Sequence, residues 1–510
     1  MMKKTFAVIA FFLAALTCIS VFAGCQTGTP AGTEKTDTKP EQTANVTAAE
    51  TDAETEPEET YYIPERKYNN EEFVVLCPGV GDNEWECKDF FAEEDSDDPV
   101  VSAVYRRMSL LEEKFGVKIA LVESATRGAI GSLVKKDITS GDKEYDLVMQ
   151  VMSNAYTLAQ SGYLVNLDSV PYIDLSSDVW DQSYLQQSSI GGINYFATGE
   201  ITTMDNDATW VMMFNKKLAN NLDLDIYSLV KEGKWTFDKL YELSKDFYED
   251  VNNNAQVDEK DKFGIATTVD FIQGLFYAAD GRIIKKDNED IPYLDFNNER
   301  NTAIIDKIIS IYYSKNKVTF DCHDFANVNP SVHLLAQAMF EEDRALFYSE
   351  VMQCAIRLRE METDYGIIPC PKFDEAQKEY TTHSVAAVTL CAMITSNMKN
   401  DTERLERCGM LTQALAVEGK KILTPAYYEK SLKTKGARDA ESYDMLPIIF
   451  ANRTCDIGYM AEESAVAGLY SAMRTMVKKG TNDIASTTKK NATRINKALT
   501  RLVEDFEKLK

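Results

Sequence analysis

Histidine is scarce: the 510 residues contain three, His323, His333 and His383. No His-Glu-x-x-His pair occurs, so the commonest zinc-hydrolase arrangement is excluded. There is no Gly-x-Ser-x-Gly nucleophile turn and no Gly-x-x-x-x-Gly-Lys phosphate loop. The stretch Gly79 to Glu84, GVGDNE, lacks the third glycine of a dinucleotide fingerprint. The ten cysteines include no Cys-x-x-Cys. Basic charge is short as well: 55 Lys and Arg stand against 81 Asp and Glu, a net charge of −26. Without a basic footprint, nucleic acid is not an expected partner. Acidic pairs are inevitable among 81 carboxylates, so they neither indicate nor exclude glycoside cleavage.

What is present begins with a leader. Lys3 and Lys4 precede an apolar run, TFAVIAFFLAALTCISVFAG, that ends in small residues before Cys25. The run could span a membrane, but a basic start, a short apolar core and small residues read better as a secretory signal. Phe22-Ala23-Gly24-Cys25 resembles a bacterial lipobox, with Phe22 where Leu is usual. The resemblance implies cleavage after residue 24 and a diacylglyceryl group on the Cys25 thiol. Two acyl chains hold a membrane stably where one does not. Cys18 is the poorer acceptor, since bulkier Thr17 precedes it. A plain signal peptide or an uncleaved anchor is the alternative. Gln26 to Thr60 then carries ten Thr and nine acids against two Lys, with no aromatic. Such a segment cannot bury enough surface to fold, so residues 25–67 are expected to be a tether reaching roughly 30 Å.

The remaining chain is too long for one core and reads as two α/β units. EEFVVLCPG, VKIALVE and YDLVMQV are strands separated by the helices of DPVVSAVYRRMSLLEEKFG and IGSLVKKDITSG. A second alternating set starts near Trp210 with TWVMMFNKKLANNL, continues through KFGIATTVDF, DRALFYSE and DYGIIPCPKF, and ends in helices. Alternation of this kind predicts mainly parallel sheets flanked by helices, with ligand sites at the carboxyl ends of the strands. The eight cysteines past the tether are scattered among apolar neighbours and read as core residues, although Cys77 and Cys87 could close a loop.

Several stretches, taken in order, resemble the extracellular solute-binding proteins of ABC importers, in particular the sugar-binding group. They are AQSGYLVNL, VMMFNKKL, GKWTFDKL, YAADGRII, DRALFYSE, DYGIIPCP and VAGLYSAMRTMVKKG. The resemblance spans nearly all of residues 68–510, through order and spacing rather than any one motif. It implies a two-lobed, type II periplasmic-binding-protein-like fold. Lobe one would hold 68–202 and 372–430, and lobe two 207–368 and 440–510. Crossings would lie near Thr202–Asp207, near Pro369–Phe373 and before the C-terminal helices. It implies a monomer, lipid-anchored on the outer face of the cell membrane. The protein would capture a small solute, most naturally an oligosaccharide, for a membrane permease, without catalysis. A peptide, a cationic solute or a surface glycosidase are the other readings.

By position within that resemblance, Ser153, Asn154 and Tyr156 would offer contacts from lobe one. Glu200, Asp205 and Trp210 would flank the first crossing. Asp270, Phe271, Ser349, Glu350 and Tyr470 would contribute from lobe two. Trp235, opening a helix, reads as a packing anchor, and Trp180 is left undecided. Separately, EDVNNNAQVDEKDKFG counts as a calcium loop from Asp250 as position one. Asp250, Asn252, Asn254, Gln256 (through its carbonyl), Asp258 and Asp261 then fall at one, three, five, seven, nine and twelve. Val257 would be the apolar peg. Ala255 stands where Gly is usual and Asp261 where Glu is usual, the latter as in dockerin-type loops, which this stretch resembles. The expected role of calcium is structural, and an acidic solvated turn is the alternative.

Overall fold

The structure, a computed structural model, describes residues 63–64, 66–79, 87–432, 440–454, 456–460 and 467–509. The leader, Cys18, Cys25, Cys455 and nearly all of the tether lie outside the described residues. The strands in chain order are β1 (Glu71–Pro78), β2 (Val117–Ser124), β3 (Leu147–Val151), β4 (Trp210–Asn215), β5 (Phe263–Thr267), β6 (Ile284–Lys286), β7 (Pro292–Leu294), β8 (Thr319–Asp321), β9 (Ala345–Val351), β10 (Tyr365–Ile368), β11 (Thr382–His383), β12 (Leu390–Met393) and β13 (Arg453–Thr454).

Two sheets carry the two lobes. The first has the order β12-β3-β1-β2, with β1 parallel to both β2 and β3, and β12 antiparallel to β3. The second has the order β10-β4-β9-β5-β8. There β5 runs parallel to β8 and β9, while β4 is antiparallel to both β9 and β10. Both sheets are mixed, the second in equal parts. Only β4, on which the chain enters the second lobe, runs against the other four strands.

Local chemistry explains the element ends. Asp98 accepts from the amides of Val100 and Val101 and starts helix Pro99–Phe115, with Pro99 in its first turn, where a missing N–H costs nothing. The helix stops at Gly116, whose φ of 58° suits a residue without Cβ. Its buried stripe includes Val104, Met108, Leu111 and Phe115. Thr236 caps helix Phe237–Ser244 by accepting from Lys239 N, and Trp235, fully buried, donates to Pro369 O at 2.9 Å. Trp180 is also core, donating to Gln413 Oε1 at 2.9 Å.

One apolar core lies between the first sheet and helices Pro99–Phe115 and Thr402–Glu418. The other lines the opposite face of that sheet and continues through lobe two. Helix Ile484–Glu507 packs within this second core. Phe506 packs edge-on to Tyr195 at 5.2 Å and beside Tyr156 at 5.8 Å, both in lobe one. The C-terminal helix therefore bridges the lobes rather than belonging to lobe two alone.

Two further boundaries differ from expectation. Residues 369–380 still pack on lobe two: Lys372 pairs with Trp235 and Thr236, and Gln377 donates to Ala278 O. The return crossing is at Thr382–Val385, where Ser384 bridges Thr209 and Val385 N donates to Ala208 O. The last crossing is β13, parallel to β11. The folded body also begins earlier than residue 68. Ile63 packs on the lobe-one core, and Arg66 pairs with Glu406 at 2.8 Å while lying over the Tyr68 ring. The described body cysteines are all buried, and none of them is in a disulfide. Cys77 and Cys87 lie side by side; a hydrogen bond to Cys77 and then burial hold the Cys87 thiol well above its ordinary range.

Candidate functional site

A cavity of about 360 Å³ opens where the crossings meet the carboxyl ends of the lobe-two strands. Its size falls at the low end for small-molecule sites. Trp210, at the start of β4, forms one wall. Its indole N–H donates to Ser349 Oγ at 2.8 Å, and Ser349 in turn donates to Val211 O at 3.1 Å, so the ring is fixed in place. Behind the ring lies Gly274 in helix Phe271–Ala278. A Cβ there would sit 3.0 Å from the indole. Gly274→Ala is therefore expected to displace the Trp210 wall and weaken ligand binding several-fold, with about 1–3 kcal/mol lost from stability. Calorimetric titration beside urea denaturation separates the two effects.

Polar groups converge on the same space. Beyond β5, Asp270 pairs with Arg474, which also donates to Gln273 Oε1 at 2.9 Å. At the end of β9, Glu350 sits 2.6 Å from His333 Nδ1, with the carboxylate buried and the imidazole half-exposed. The bond to Glu350 outweighs burial and raises the His333 pKa above that of a free imidazole. Arg357 and Tyr459 complete this side. The crossing at β11 adds His383, stacked on Tyr277 at 4.7 Å with Tyr459 edge-on at 5.0 Å. Burial lowers the His383 pKa to about 3, so this ring is neutral. Val385 and Val388 give an apolar floor on the lobe-one side.

Of the residues expected from sequence, the structure brings Trp210, Asp270 and Glu350 together on this cavity. Ser349 stands behind them, fully buried, holding Trp210. Ser153 and Asn154 are half-buried at the start of helix Met152–Gln160, and Ser153 N donates to Ala386 O beside the floor. Three aromatic assignments are corrected. Tyr156 is 2 % exposed among Phe196 and Phe506, Phe271 faces the lobe-two core, and Tyr470 is buried against Tyr277 through their hydroxyls. Their rings are large and apolar, and the core took them.

Glu200 and Asp205 line a separate recess of about 250 Å³ at the hinge, with Tyr428, Phe450 and Arg453. Arg453 reaches Asp181 at 2.8 Å, Asp205 at 3.0 Å and Asn206 Oδ1 at 2.8 Å. Burial raises Asp205 to about 7, since one guanidinium shared with Asp181 and opposed by Glu200 does not offset it. Burial likewise raises Asp207 to about 7, against a hydrogen bond from Tyr427. These groups hold the crossing rather than face the cavity.

Sequence reading missed Gln273, His333, Arg357, His383, Tyr459 and Arg474. One signal was available. Of only three histidines, two line the cavity and the third, His323, lies 6.4 Å from His333.

No protein-family model matches the chain, and no curated protein matches it. Solved structures do. The maltose-binding periplasmic protein MalE from Listeria monocytogenes, in complex with maltose, aligns with a TM-score of 0.52 and 16% identity, covering 86% of this chain and 99% of that one. M. tuberculosis UspC aligns at 0.54 and 12%, covering 84% and 100%. The cyclic alpha-maltosyl-1,6-maltose binding protein from Arthrobacter globiformis aligns at 0.52 and 13%, covering 84% and 99%. This is the two-lobed periplasmic-binding-protein fold. In it, the cavity at Trp210 occupies the junction of the lobes and their crossings. Among the described residues no helix is long and apolar enough to cross a membrane.

The expected calcium loop is an exposed turn closed by paired backbone bonds between Glu249 and Lys262. Ala255 has a φ of 60°, the conformation for which Gly is usual at that position. Val257, expected as an apolar peg, is 40% exposed.

Proposed function

We propose that the chain is an extracytoplasmic solute-binding protein that takes a short carbohydrate into the Trp210 cavity and releases it unaltered to an ABC importer. The observation that carries this reading is the fixed indole wall facing several hydrogen-bonding groups across one cavity. Sugars need such a pairing: a flat apolar face for their C–H surfaces and convergent donors and acceptors for their hydroxyls. The cavity carries Arg357, Arg474 and His333 against Asp270 and Glu350, so it is not the acid-rich cleft that a cationic solute would favour. Its two carboxylates are tied to Arg474 and His333, which suits holding a ligand rather than cleaving one. Two of the structural neighbours are named for maltose-type sugars, which supports the ligand class.

Cys25 would carry the lipid, and the Thr/Glu-rich segment would set the body away from the outer face of the membrane beside its permease. Metabolic labelling with a radioactive fatty acid tests this, with label expected on the full chain and none on Cys25→Ala.

A thermal-shift screen of mono- and oligosaccharides tests the ligand class. A sugar present at a hundredfold its Kd is expected to stabilise by about 2.7 kcal/mol. A panel of neutral and acidic sugars giving no shift, with a peptide or polyamine giving one, would overturn the carbohydrate reading.

A further inference from the structure

Strand β1 ends with Cys77 and Pro78, and the chain comes back beside them at Cys87, whose N–H donates to Pro78 O at 3.2 Å. Both side chains enter the same lobe-one core, Cys77 fully buried and Cys87 nearly so. There the Cys87 thiol is hydrogen-bonded to the Cys77 thiol. Cys408 keeps different company, its Sγ lying 3.6 Å from Asp146 Oδ1. A disulfide needs its sulfurs at about 2.0 Å and its Cα atoms within about 7 Å. Thiols already in hydrogen-bonding contact have only the last part of that approach to make.

The residues after Cys87 give the contact a use. Asp89 is buried and accepts from Thr202 Oγ1 and Thr203 N, each at 2.7 Å, at the first crossing. The Asp89 carbonyl takes Arg107 Nη2, while Arg107 Nη1 donates to Ile201 O at 3.0 Å. A covalent bond two residues before Asp89 would tie that crossing to the end of β1.

We propose that Cys77 and Cys87 form a disulfide when the chain folds in the presence of a disulfide-carrying oxidant. One cysteine thiolate attacks the oxidant's disulfide, forming a mixed disulfide and releasing one thiol. The thiolate of the other cysteine then attacks the mixed disulfide, making the Cys77–Cys87 bond and expelling the rest of the oxidant as a second thiol. Two electrons pass from the cysteines to the oxidant, and the two cysteine protons end, through solvent, on the released thiols. The step belongs to folding. The bond to Cys77 and burial hold the Cys87 thiol well above its ordinary range, so the finished core offers little thiolate for exchange. The same burial would shield the disulfide from reductant. The bond restricts the unfolded chain by closing a short loop, whatever the cavity binds.

The test uses the full chain, unfolded and reduced, then refolded with oxidised and reduced glutathione. Free thiols are alkylated in denaturant before digestion with a Glu-specific protease, which cuts between the pair at Glu84 and Glu86. Mass spectrometry is expected to find the Cys77 and Cys87 peptides joined, short of two hydrogens and unalkylated. The folded product should keep the link in dithiothreitol and lose it only once denatured. It should melt a few degrees above chain refolded with reduced glutathione alone, and Cys87→Ala should show no such difference. Should Cys87→Ala not fold, the wild-type peptides and melting pair decide alone. Cys77 and Cys87 both alkylated in the folded product, or either joined to another cysteine, would overturn the proposal. So would equal melting with and without the link.

Discussion

Trp210→Ala is expected to weaken sugar binding by well over tenfold and to destabilise the body by about 3–5 kcal/mol. The indole is a cavity wall, and the apolar area that a sugar face covers there is worth about 25 cal/mol per Å². Its loss also frees Ser349 Oγ and leaves space in front of Gly274. Each 1.4 kcal/mol is tenfold in affinity. Trp210→Phe separates the causes. It keeps a ring but loses the N–H bond to Ser349, so about 1 kcal/mol of stability should go while affinity stays within several-fold. Calorimetric titration of the tightest sugar from the screen, beside urea denaturation, gives both numbers. Equal affinity in wild type and Trp210→Ala would remove the indole from the site.

The second large effect is at the hinge. Arg453→Met is expected to cost about 3–5 kcal/mol at pH 8, because it leaves Asp181 and Asp205 buried without their shared cation. The cost should shrink at pH 5. Burial already holds the Asp205 carboxyl at about 7 with Arg453 in place, so at pH 5 it carries its proton and needs no partner. The same groups give the wild type a sloped profile. Asp205 and Asp207 are raised from 3.8 to about 7, so between about pH 4 and 7 the folded chain holds protons that the unfolded chain has released. Their contribution is full below about pH 4 and is lost as the pH rises through 7. Urea midpoints at pH 5 and pH 8 check both statements; a cost for Arg453→Met that is larger at pH 5 would contradict them.

How much of this could be read from residue order alone follows from what each residue type can signal. Strand and helix alternation, caps such as Asp98 and Thr236, and the stop at Gly116 are local, each set by residues within a turn of where it acts. Trp235 could be recognised as an anchor because a Trp opening a helix has only the core to enter. Position alone does not separate Trp210 from Tyr156. Both are aromatics near an expected site, yet Trp210 finds a partner for its N–H in Ser349 and faces the cavity, whereas Tyr156 meets Phe506 from the far end of the chain. That contact is set by the bridging helix Ile484–Glu507, whose sequence shows an apolar face but not its target. The later return crossing was hidden for a similar reason. Pro369 and Pro371 read as the end of a lobe, but Lys372 and Gln377 continue to bond lobe two. Arg474 and Tyr459 gave no local signal, since their roles arise only when the C-terminal helices fold back across the crossings.

Hydrogen–deuterium exchange of the body, with and without the tightest sugar of the screen, tests the central claim most directly. Sugar held at the junction should slow exchange together in 209–211, 270–274, 331–334, 350–357, 383–388 and 457–460, segments far apart in the chain that meet only around the cavity. Protection confined to any other surface, with these segments unchanged at saturation, would contradict it.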